Sequence, residues 1–400
     1  MTTADRSGAI TLPTTRDNPF DPPAELLRLR ADRGIHPLAY PDGHQGWLVT
    51  DYQAIRTVMA DPRFSARQEL RRLPFEHPLG VQPQPPAEPG MFIRMDPPDH
   101  TRYRSELIAQ FTVRRMRALE PRIVEIVEAH AAAMRAQGPP ADLVSSFALP
   151  IPSLVICELL GVPYADRAVF QETTAALLRL DQTPEQFGVN MATFHAFLGE
   201  LVTAKRTEPT DDILGGLITD TALSDRELVS IGLLLLVAGH ETTANMLGLG
   251  TFALLRHPEQ LAALRADPTL IDGAVEELLR YLSIIQFGTS RCALERVELA
   301  GVTIEEGQNL ILSLPAANRD PERFPDPDRL DVTRGSARHL SFGHGVHQCL
   351  GQQLARTEMR VGFATLIREF PDLRLAVEPH EVVLTTDKAI YGVHSLPVAW

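Results

Sequence analysis

The sequence predicts a mainly α-helical protein with small β-sheets, arranged around one long buried helix. Apolar residues recur at helical spacing along most of the chain, which is typical of helices packed on a core. Short strand-like segments such as VELAGVTI and NLILSL cluster in the last third. Residues 224–256 are apolar on nearly all sides, and a helix of that kind lies in the centre of a fold.

Helical spacing gives the elements in order, with polar or Pro-rich segments between them. Helices are predicted at 23–33, 51–60, 99–111, 113–137, 143–160, 164–179, 184–206, 224–256, 258–265, 268–282 and 350–370. Strands are predicted at GWLV (46–49), VELAGVTI, NLILSL and three C-terminal segments, LRLAV, VVLTT and LPVAW. The Pro-rich residues 72–90 predict a long loop, because proline prevents regular structure.

The central helix has a clear start and end. Ser224-Asp-Arg-Glu227 is a capping box, in which each side chain satisfies a free backbone N–H of the other residue. The helix stops at Arg256, before Pro258. At about 1.5 Å per residue, it should be about 50 Å long.

Composition limits the domain organisation and the partners. The 400 residues suffice for two or three average domains, but no repeat or low-complexity linker divides them. We therefore expect a flexible segment at 1–16 and a single domain at 17–400. The 38 basic and 51 acidic residues give a net charge of −13, which disfavours nucleic acid and anionic membranes. No secretory signal or membrane-spanning run is present, so we expect a cytoplasmic protein, and a monomer.

The three cysteines are too few and too scattered for a disulfide framework. Cys157 and Cys292 lie in ordinary contexts and are predicted to pack in the core. Cys349 lies in the glycine-rich sequence FGHGVHQCLG (342–351), just before a predicted helix. A helix N-terminus stabilises a thiolate, so Cys349 is a candidate nucleophile or metal ligand.

FGHGVHQCLG resembles the haem-binding loop of the cytochromes P450, F-G-x-G-x-H-x-C-x-G. The resemblance implies the cytochrome P450 fold, with its long central helix over a haem b and Cys349 as thiolate ligand of the iron. It further implies that Phe342 packs on the ligand side of the haem. Gly343 and Gly351 would let backbone amides approach the sulfur.

A second motif, AGHETT (238–243), lies in the middle of the central helix. A buried carboxylate is costly, so an acid beside a hydroxyl at this place indicates a functional site. The motif is similar to the family's oxygen-binding groove, which implies that Glu241 and Thr242 relay protons to dioxygen and that Gly239 leaves room for it, with Ala238 as a further residue of the site. The alternative is a helix kink with a back-bonded threonine. Because residue 244 is alanine, the H-E-x-x-H zinc motif is excluded.

Two further segments agree with the family. In DPPDHTRYR (96–104), His100 and Arg104 share one helix face, where two cations suit an anion. The resemblance identifies this anion as the haem propionates, with Arg291 and His347 as further ligands. Glu277, Arg280 and Arg334 match the family's E-x-x-R pair and its third basic residue, which imply a buried structural cluster.

The resemblance implies a monooxygenase that inserts one oxygen atom from O2 into a hydrophobic small molecule, by hydroxylation or epoxidation. The chain is similar to actinobacterial members that oxidise natural products (polyketides, macrolides or terpenoids) or xenobiotics. GLGTFA (248–253) lies within a helix and follows no strand, so no nicotinamide site is predicted. NAD(P)H would therefore act indirectly, through a separate ferredoxin reductase and ferredoxin.

Position along the chain suggests two further sets of residues. The expected substrate-pocket walls are Phe92, Ile93, Leu235, Val237, Ile284, Ile285 and Ile390. The expected docking patch for the electron donor is Arg104, Arg114, Arg115, Arg356 and Arg360.

Two alternative functions stay open: a haem-thiolate peroxygenase or isomerase that needs no electron donor, and a non-catalytic haem sensor. Glu241 and Thr242 favour the monooxygenase, because neither alternative needs a proton relay.

Overall fold

The computed structural model describes residues 9–75, 84–178, 183–286, 289–335, 338–386 and 389–400. Its helices are α1 (Ala24–Asp32), α2 (Tyr52–Ala60), α3 (Asp99–Gln110), α4 (Val113–Gln137), α5 (Pro150–Leu160), α6 (Arg167–Leu178), α7 (Pro184–Thr207), α8 (Ile213–Asp220), α9 (Asp225–Arg256), α10 (Pro258–Ala266), α11 (Ile271–Leu282), α12 (Leu314–Ala317) and α13 (Gln352–Glu369). Its strands are β1 (Ile35–Ala39), β2 (Gln45–Val49), β3 (Phe64–Ser65), β4 (Ala141–Asp142), β5 (Ser290–Ala293), β6 (Val297–Leu299), β7 (Val302–Ile304), β8 (Asn309–Leu312), β9 (Arg374–Leu375) and β10 (Pro397–Ala399).

The predicted fold class, mainly α with small β-sheets, is confirmed. The largest sheet has the strand order β1-β2-β8-β5-β3, and only β2 and β8 run parallel, with Trp47 opposite Leu310. A second sheet has the order β4-β10-β9, and β6 pairs with β7 in a third. The first sheet therefore joins the N-terminal strands to the strands that precede the Cys349 loop.

The central helix α9 forms as predicted. The Ser224 backbone N–H donates to Glu227 Oε2 (2.7 Å), and the Glu227 N–H donates to Ser224 Oγ (3.4 Å). Helices α5, α7 and α13 pack around it. By length and composition α9 is the one described helix that is apolar enough to cross a membrane, but most of its apolar stretch is buried inside the protein. Its apolar surface is thus covered by neighbouring helices.

Two predicted elements differ from the structure. The helix predicted at 143–160 is divided into a π-helical turn at Val144–Ala148 and α5, which begins at Pro150. VVLTT forms no strand and contributes one isolated bridge, from Leu384 to Val393. Strands this short depend on a partner that the local sequence does not reveal.

The N-terminal segment lies against the body of the protein from Ile10 on. The Ile10 N–H donates to the Pro37 carbonyl (3.0 Å), and Ile10 forms a parallel bridge with Leu38. Residues 1–8 of the segment predicted to be flexible, and residues 76–83 of the predicted Pro-rich loop, lie outside the described residues.

Candidate active site

Cys349 is held by a tight loop that only glycine permits. Gly343 and Gly345 have φ values of 71° and 72°, in the left-handed region. A Cβ on Gly345 would lie 2.4 Å from the Met59 carbonyl oxygen of α2, so the loop can approach α2 only without a side chain there. The Cys349 N–H donates to the Phe342 carbonyl (2.8 Å), which closes the loop.

Of the three cysteines, Cys349 is exposed, whereas Cys157 and Cys292 are buried. Burial raises the pKa of the Cys157 thiol to about 12, so this side chain packs as an inert apolar group. Cys349 reaches the surface, yet the protein packed around its sulfur partly desolvates the thiol and raises its pKa, while the N–H of Gly351 and the charges of Arg104 and Arg356 act in the opposite direction. Gly351 is the N-cap of α13, so the helix start contributes one directed N–H to the sulfur.

Arg356 packs on the Cys349 loop and is itself held by an ion pair. The Arg356 guanidinium lies 4.4 Å from the centroid of the Phe342 ring and donates to Glu276 Oε1 (2.5 Å). His339 Nε2 lies 3.1 Å from Glu276 Oε2. Burial opposes ionisation of Glu276, but hydrogen bonds from His339 and Arg356 hold its pKa at about 2. Arg356 is therefore fixed in place by a carboxylate and supports Phe342.

The four predicted propionate ligands come together beside the loop. The His100 and His347 ring centroids lie 4.2 Å apart. Arg104 Nη2 donates to the Gln348 carbonyl (2.5 Å), and Arg291 lies on β5, close enough to lower the pKa of His347. His100 is 2% exposed, yet neither of its ring nitrogens has a hydrogen-bond partner in the described structure.

Their electrostatics suit an anionic ligand. Burial and the Arg104 charge lower the pKa of His100 to about 4. Burial and the Arg291 charge lower the pKa of His347 to about 3. Burial lowers the pKa of Arg291 to about 10. Half-buried arginine cations beside the unpartnered ring of buried His100 fit an anionic group with several oxygens.

Sequence reasoning missed two members of this cluster. Arg94 is half-buried, and its charge acts on Arg71, Arg291 and His347. Arg71 donates to Ser290 Oγ (3.0 Å), at the start of β5. Arg94 stands two residues before Asp96, and this proximity to the DPPDH motif was an available signal.

One face of α9 opens where the second motif lies. Residues 228–236 are buried, whereas Val237 is 39% exposed, Ala238 is exposed, and Glu241 and Thr242 are half-buried. Positions 237 and 241, and 238 and 242, are four apart and share a face. Thr242 Oγ1 donates to the Ala238 carbonyl (2.7 Å), so the back-bonded threonine of the alternative interpretation is present on this open face.

Gly239 does not face this opening. A Cβ there would lie 2.8 Å from Cδ1 of Ile156 in α5. The prediction that Gly239 makes room for dioxygen is therefore corrected, because its missing side chain permits helix packing and Ala238 borders the open face. His240 is also buried away from it, and burial lowers its pKa to about 4.

Glu277, Arg280 and Arg334 form the predicted buried cluster. Glu277 and Arg280 are both 0% exposed, with Arg280 Nε 2.8 Å from Glu277 Oε2 and Nη2 2.7 Å from Oε1. Arg334 Nε lies 3.1 Å from both oxygens of Glu277. Arg280 also donates to the carbonyls of Asn318, Pro327 and Arg329. The cluster thus fixes the irregular segment before the Cys349 loop to α11.

The predicted pocket walls divide into two groups. Phe92, Leu235 and Ile284 are buried and belong to the main core, so the structure does not place their side chains on an open surface. Ile93 and Val237 are exposed, and Ile285 and Ile390 are half-buried. Ile285 and Ile390 face each other across an isolated antiparallel bridge.

Among the described residues, no group of three or more His, Cys, Asp and Glu side chains is arranged to hold a metal ion. A single thiolate such as that of Cys349 can hold a metal when a cofactor supplies the other ligands. The exposed thiol and the cation cluster with its unpartnered His100 fit an iron porphyrin, which supplies four nitrogen ligands and two carboxylates.

Comparison with known proteins agrees with this site. The family model for Cytochrome P450 matches residues 197–393. Cytochrome P450 105C1 of a Streptomyces species is 49% identical over 396 residues, covering 99% of this chain and 100% of that protein. Vitamin D3 dihydroxylase of Streptomyces griseolus is 43% identical over 407 residues, covering 100% and 99%. The crystal structure of CYP105P1 in complex with filipin I has a TM-score of 0.91 at 43% identity, covering 98% of this chain and 99% of that chain.

Proposed function

The chain belongs to the cytochrome P450 family and is a haem-iron monooxygenase that uses O2 on small molecules, and from this premise we propose that it hydroxylates or epoxidises an apolar natural product or xenobiotic with electrons from a ferredoxin. The observation that carries the proposal is the position of Cys349, the one exposed cysteine, on a glycine-rich loop beside the cluster of His100, Arg104, Arg291 and His347. We propose haem b as the cofactor, in a cytoplasmic monomer.

Each part of the site has an assigned role in this proposal. Cys349 ligates the iron, while His100, Arg104, Arg291 and His347 hold the propionates, with Arg94 adding charge. Phe342 packs on the ligand side. When bound, the haem iron supplies the activation of O2, and the thiolate favours cleavage of the O–O bond.

The open face of α9 is the proposed path for proton transfer. The Thr242 hydroxyl donates its proton to the Ala238 carbonyl, so its oxygen lone pairs remain free to accept a hydrogen bond from a group on the open face. Glu241 stands beside it, half-buried, where a carboxyl can exchange protons with water. We propose that protons pass from solvent through Glu241 and Thr242 to the reacting oxygen, the Thr242 hydroxyl turning from the Ala238 carbonyl to donate its own proton while it accepts the next one from the Glu241 side, and that Ala238 leaves room for the reacting oxygen.

The substrate is proposed to be a large apolar molecule. The exposed or half-buried side chains at the expected pocket, Ile93, Val237, Ile285 and Ile390, are all aliphatic. Two of the relatives are named for what they act on or bind, the vitamin D3 dihydroxylase and the CYP105P1 structure in complex with filipin I. Vitamin D3 and filipin I are therefore suitable probes for this chain.

Reconstitution tests the reaction class. The haem-loaded protein is mixed with NADPH, ferredoxin reductase, ferredoxin and each probe, under isotopically labelled O2. We expect a product with one labelled oxygen atom, and no product when ferredoxin is left out. Equal product from hydrogen peroxide alone, without NADPH or O2, would support the peroxygenase instead.

The docking patch expected from the sequence is mostly engaged in contacts within the protein. Arg356 pairs with Glu276, Arg360 with Glu120 and Asp272, and Arg115 with Asp211, while Arg104 binds the Gln348 carbonyl. Paired charges contribute little net field to a partner. Arg114 remains exposed.

A groove beside α2 carries arginines without such pairing, and we propose it as the ferredoxin contact. Arg56, Arg323 and Arg338 line it, and in the described structure none of them forms a salt bridge. Glu322 is the one acidic residue of the lining. Because α2 packs against the turn Gly345–His347, the groove lies next to the Cys349 loop.

The reconstitution assay locates this contact. Arg56→Glu reverses one charge, and we expect reduction by ferredoxin to be about tenfold slower than in the wild type. The difference between the two rates should be larger at low salt, where charges are screened less. The affinity for an azole that binds the iron should not change. Arg374→Glu, an exposed arginine on β9, is the matched control. If both variants are reduced at the wild-type rate, the groove is not the contact.

A further inference from the structure

Arg16 is held by the body of the protein, although it ends the segment predicted to be flexible. Its guanidinium lies 3.9 Å from the centroid of the Tyr391 ring, the distance of a stacked cation–π contact. Its Nη1 donates to the Asp21 carbonyl (2.6 Å), and its Nε donates to Gln286 Oε1 (3.3 Å). One side chain thus connects the N-terminal segment to two distant parts of the sequence.

These two parts form a short ladder. The Gln286 N–H donates to the Ala389 carbonyl (2.9 Å), and the Tyr391 N–H donates to the Ile284 carbonyl (2.8 Å). Between these bonds, Ile285 and Ile390 pair across the bridge. Arg16 contacts a side chain on each strand of the ladder, Gln286 on one and Tyr391 on the other, and therefore fixes how the two strands sit together.

Further contacts support the position of Arg16. The side chain is half-buried, and burial lowers the pKa of its guanidinium to about 10. Tyr391 is 0% exposed, and its hydroxyl donates to the Pro19 carbonyl (2.7 Å). Phe20 packs on Phe252 of α9, with ring centroids 4.9 Å apart. The segment is therefore attached to the central helix as well as to the ladder.

Arg319 completes the attachment. It is 1% exposed and donates to the Phe20 carbonyl (3.0 Å) and to Asp21 Oδ1 (3.1 Å). Asp21 in turn presents its carbonyl to Arg16. A planar guanidinium with fixed donors can hold such a position, whereas a flexible ammonium cannot stack in the same way.

We infer that Arg16 is a positioning residue for the substrate pocket: it fixes the ladder of residues 284–286 and 389–391, and thereby the wall that Ile285 and Ile390 present to large ligands. The inference rests on the proposed function, in which Ile285 and Ile390 line the substrate pocket. Side chains that touch a ligand, here Ile285 and Ile390, keep their positions only when the residues packed behind them are fixed by their own contacts. The N-terminal segment thus determines ligand size preference without touching the ligand.

Two azoles of different size test this role. Imidazole and 4-phenylimidazole both bind haem iron through nitrogen, but only the phenyl group extends towards a wall. Their Kd values are measured by absorption titration of the haem-loaded full chain. In Arg16→Met, which keeps the stem but removes the guanidinium, we expect the ratio of the 4-phenylimidazole Kd to the imidazole Kd to rise about threefold or more. Arg16→Lys should give an intermediate ratio.

Controls separate positioning from general stability. Arg28→Met removes an exposed arginine of α1 and should leave the ratio unchanged. If Arg16→Met does not fold, Arg16→Lys carries the test, because an ammonium cannot stack on the Tyr391 ring as the guanidinium does. An unchanged ratio in the folded variants overturns the role of Arg16. A wild-type protein that binds neither azole at haem iron overturns the proposed function itself.

Discussion

Replacing Thr242 with valine is expected to divert most electrons from product to hydrogen peroxide. Valine has the same shape but no hydroxyl, so the donor to the Ala238 carbonyl and the lone pairs on the open face are lost together. We expect product per NADPH to fall at least about tenfold, since a positioned proton donor typically contributes about 10²–10⁴-fold to a rate. Product and peroxide are measured in the same reconstituted assay.

Two neighbouring substitutions make this result specific. Thr242→Ser keeps a hydroxyl and should retain most of the coupling. Thr243→Val removes a hydroxyl from the adjacent buried residue, off the open face, and should leave the coupling near the wild-type value. Full coupling in Thr242→Val would refute the relay and leave the hydroxyl as a local helix contact.

The second large effect concerns stability. Glu277→Gln removes the charge that two arginines share and leaves Arg280, which is 0% exposed, without a counter-charge. Breaking a buried pair in this way typically costs about 3–5 kcal/mol. We expect a much lower denaturation midpoint and weaker haem retention, because Arg280 also holds the segment before the Cys349 loop.

The exposed pair Glu25–Arg28 has the same i, i+3 spacing and provides the control. Glu25→Gln should shift the denaturation midpoint far less, because surface pairs contribute little. Equal shifts in both variants would mean that burial of the Glu277 cluster has no special importance.

Features encoded locally were predictable from the sequence. The capping box at Ser224 and the apolar residues all round α9 gave its start and its burial, since both depend on neighbours within a few residues. The glycine-rich loop was equally clear, because positive φ and close approach to α2 restrict positions 343 and 345 to glycine.

Features that depend on tertiary contacts were not predictable. Gly239 matched a motif, but which side of α9 it faces is decided by Ile156 of α5. Arg356 was expected on a docking surface, yet Glu276, 80 positions away in the chain, pairs with it. Arg16 stacks on Tyr391 near the other end of the sequence. Contacts at such separations leave no local pattern to interpret.

The absorption spectrum of the reduced, CO-bound haem protein tests the central claim, that Cys349 is the thiolate ligand of a haem. It is recorded for the wild type and for Cys349→Ser, Cys157→Ser and Cys292→Ser. We predict a thiolate-type spectrum for the wild type and for the two variants of buried cysteines, and its loss in Cys349→Ser alone. A thiolate-type spectrum that persists in Cys349→Ser, or a wild-type spectrum without thiolate character, would contradict the account.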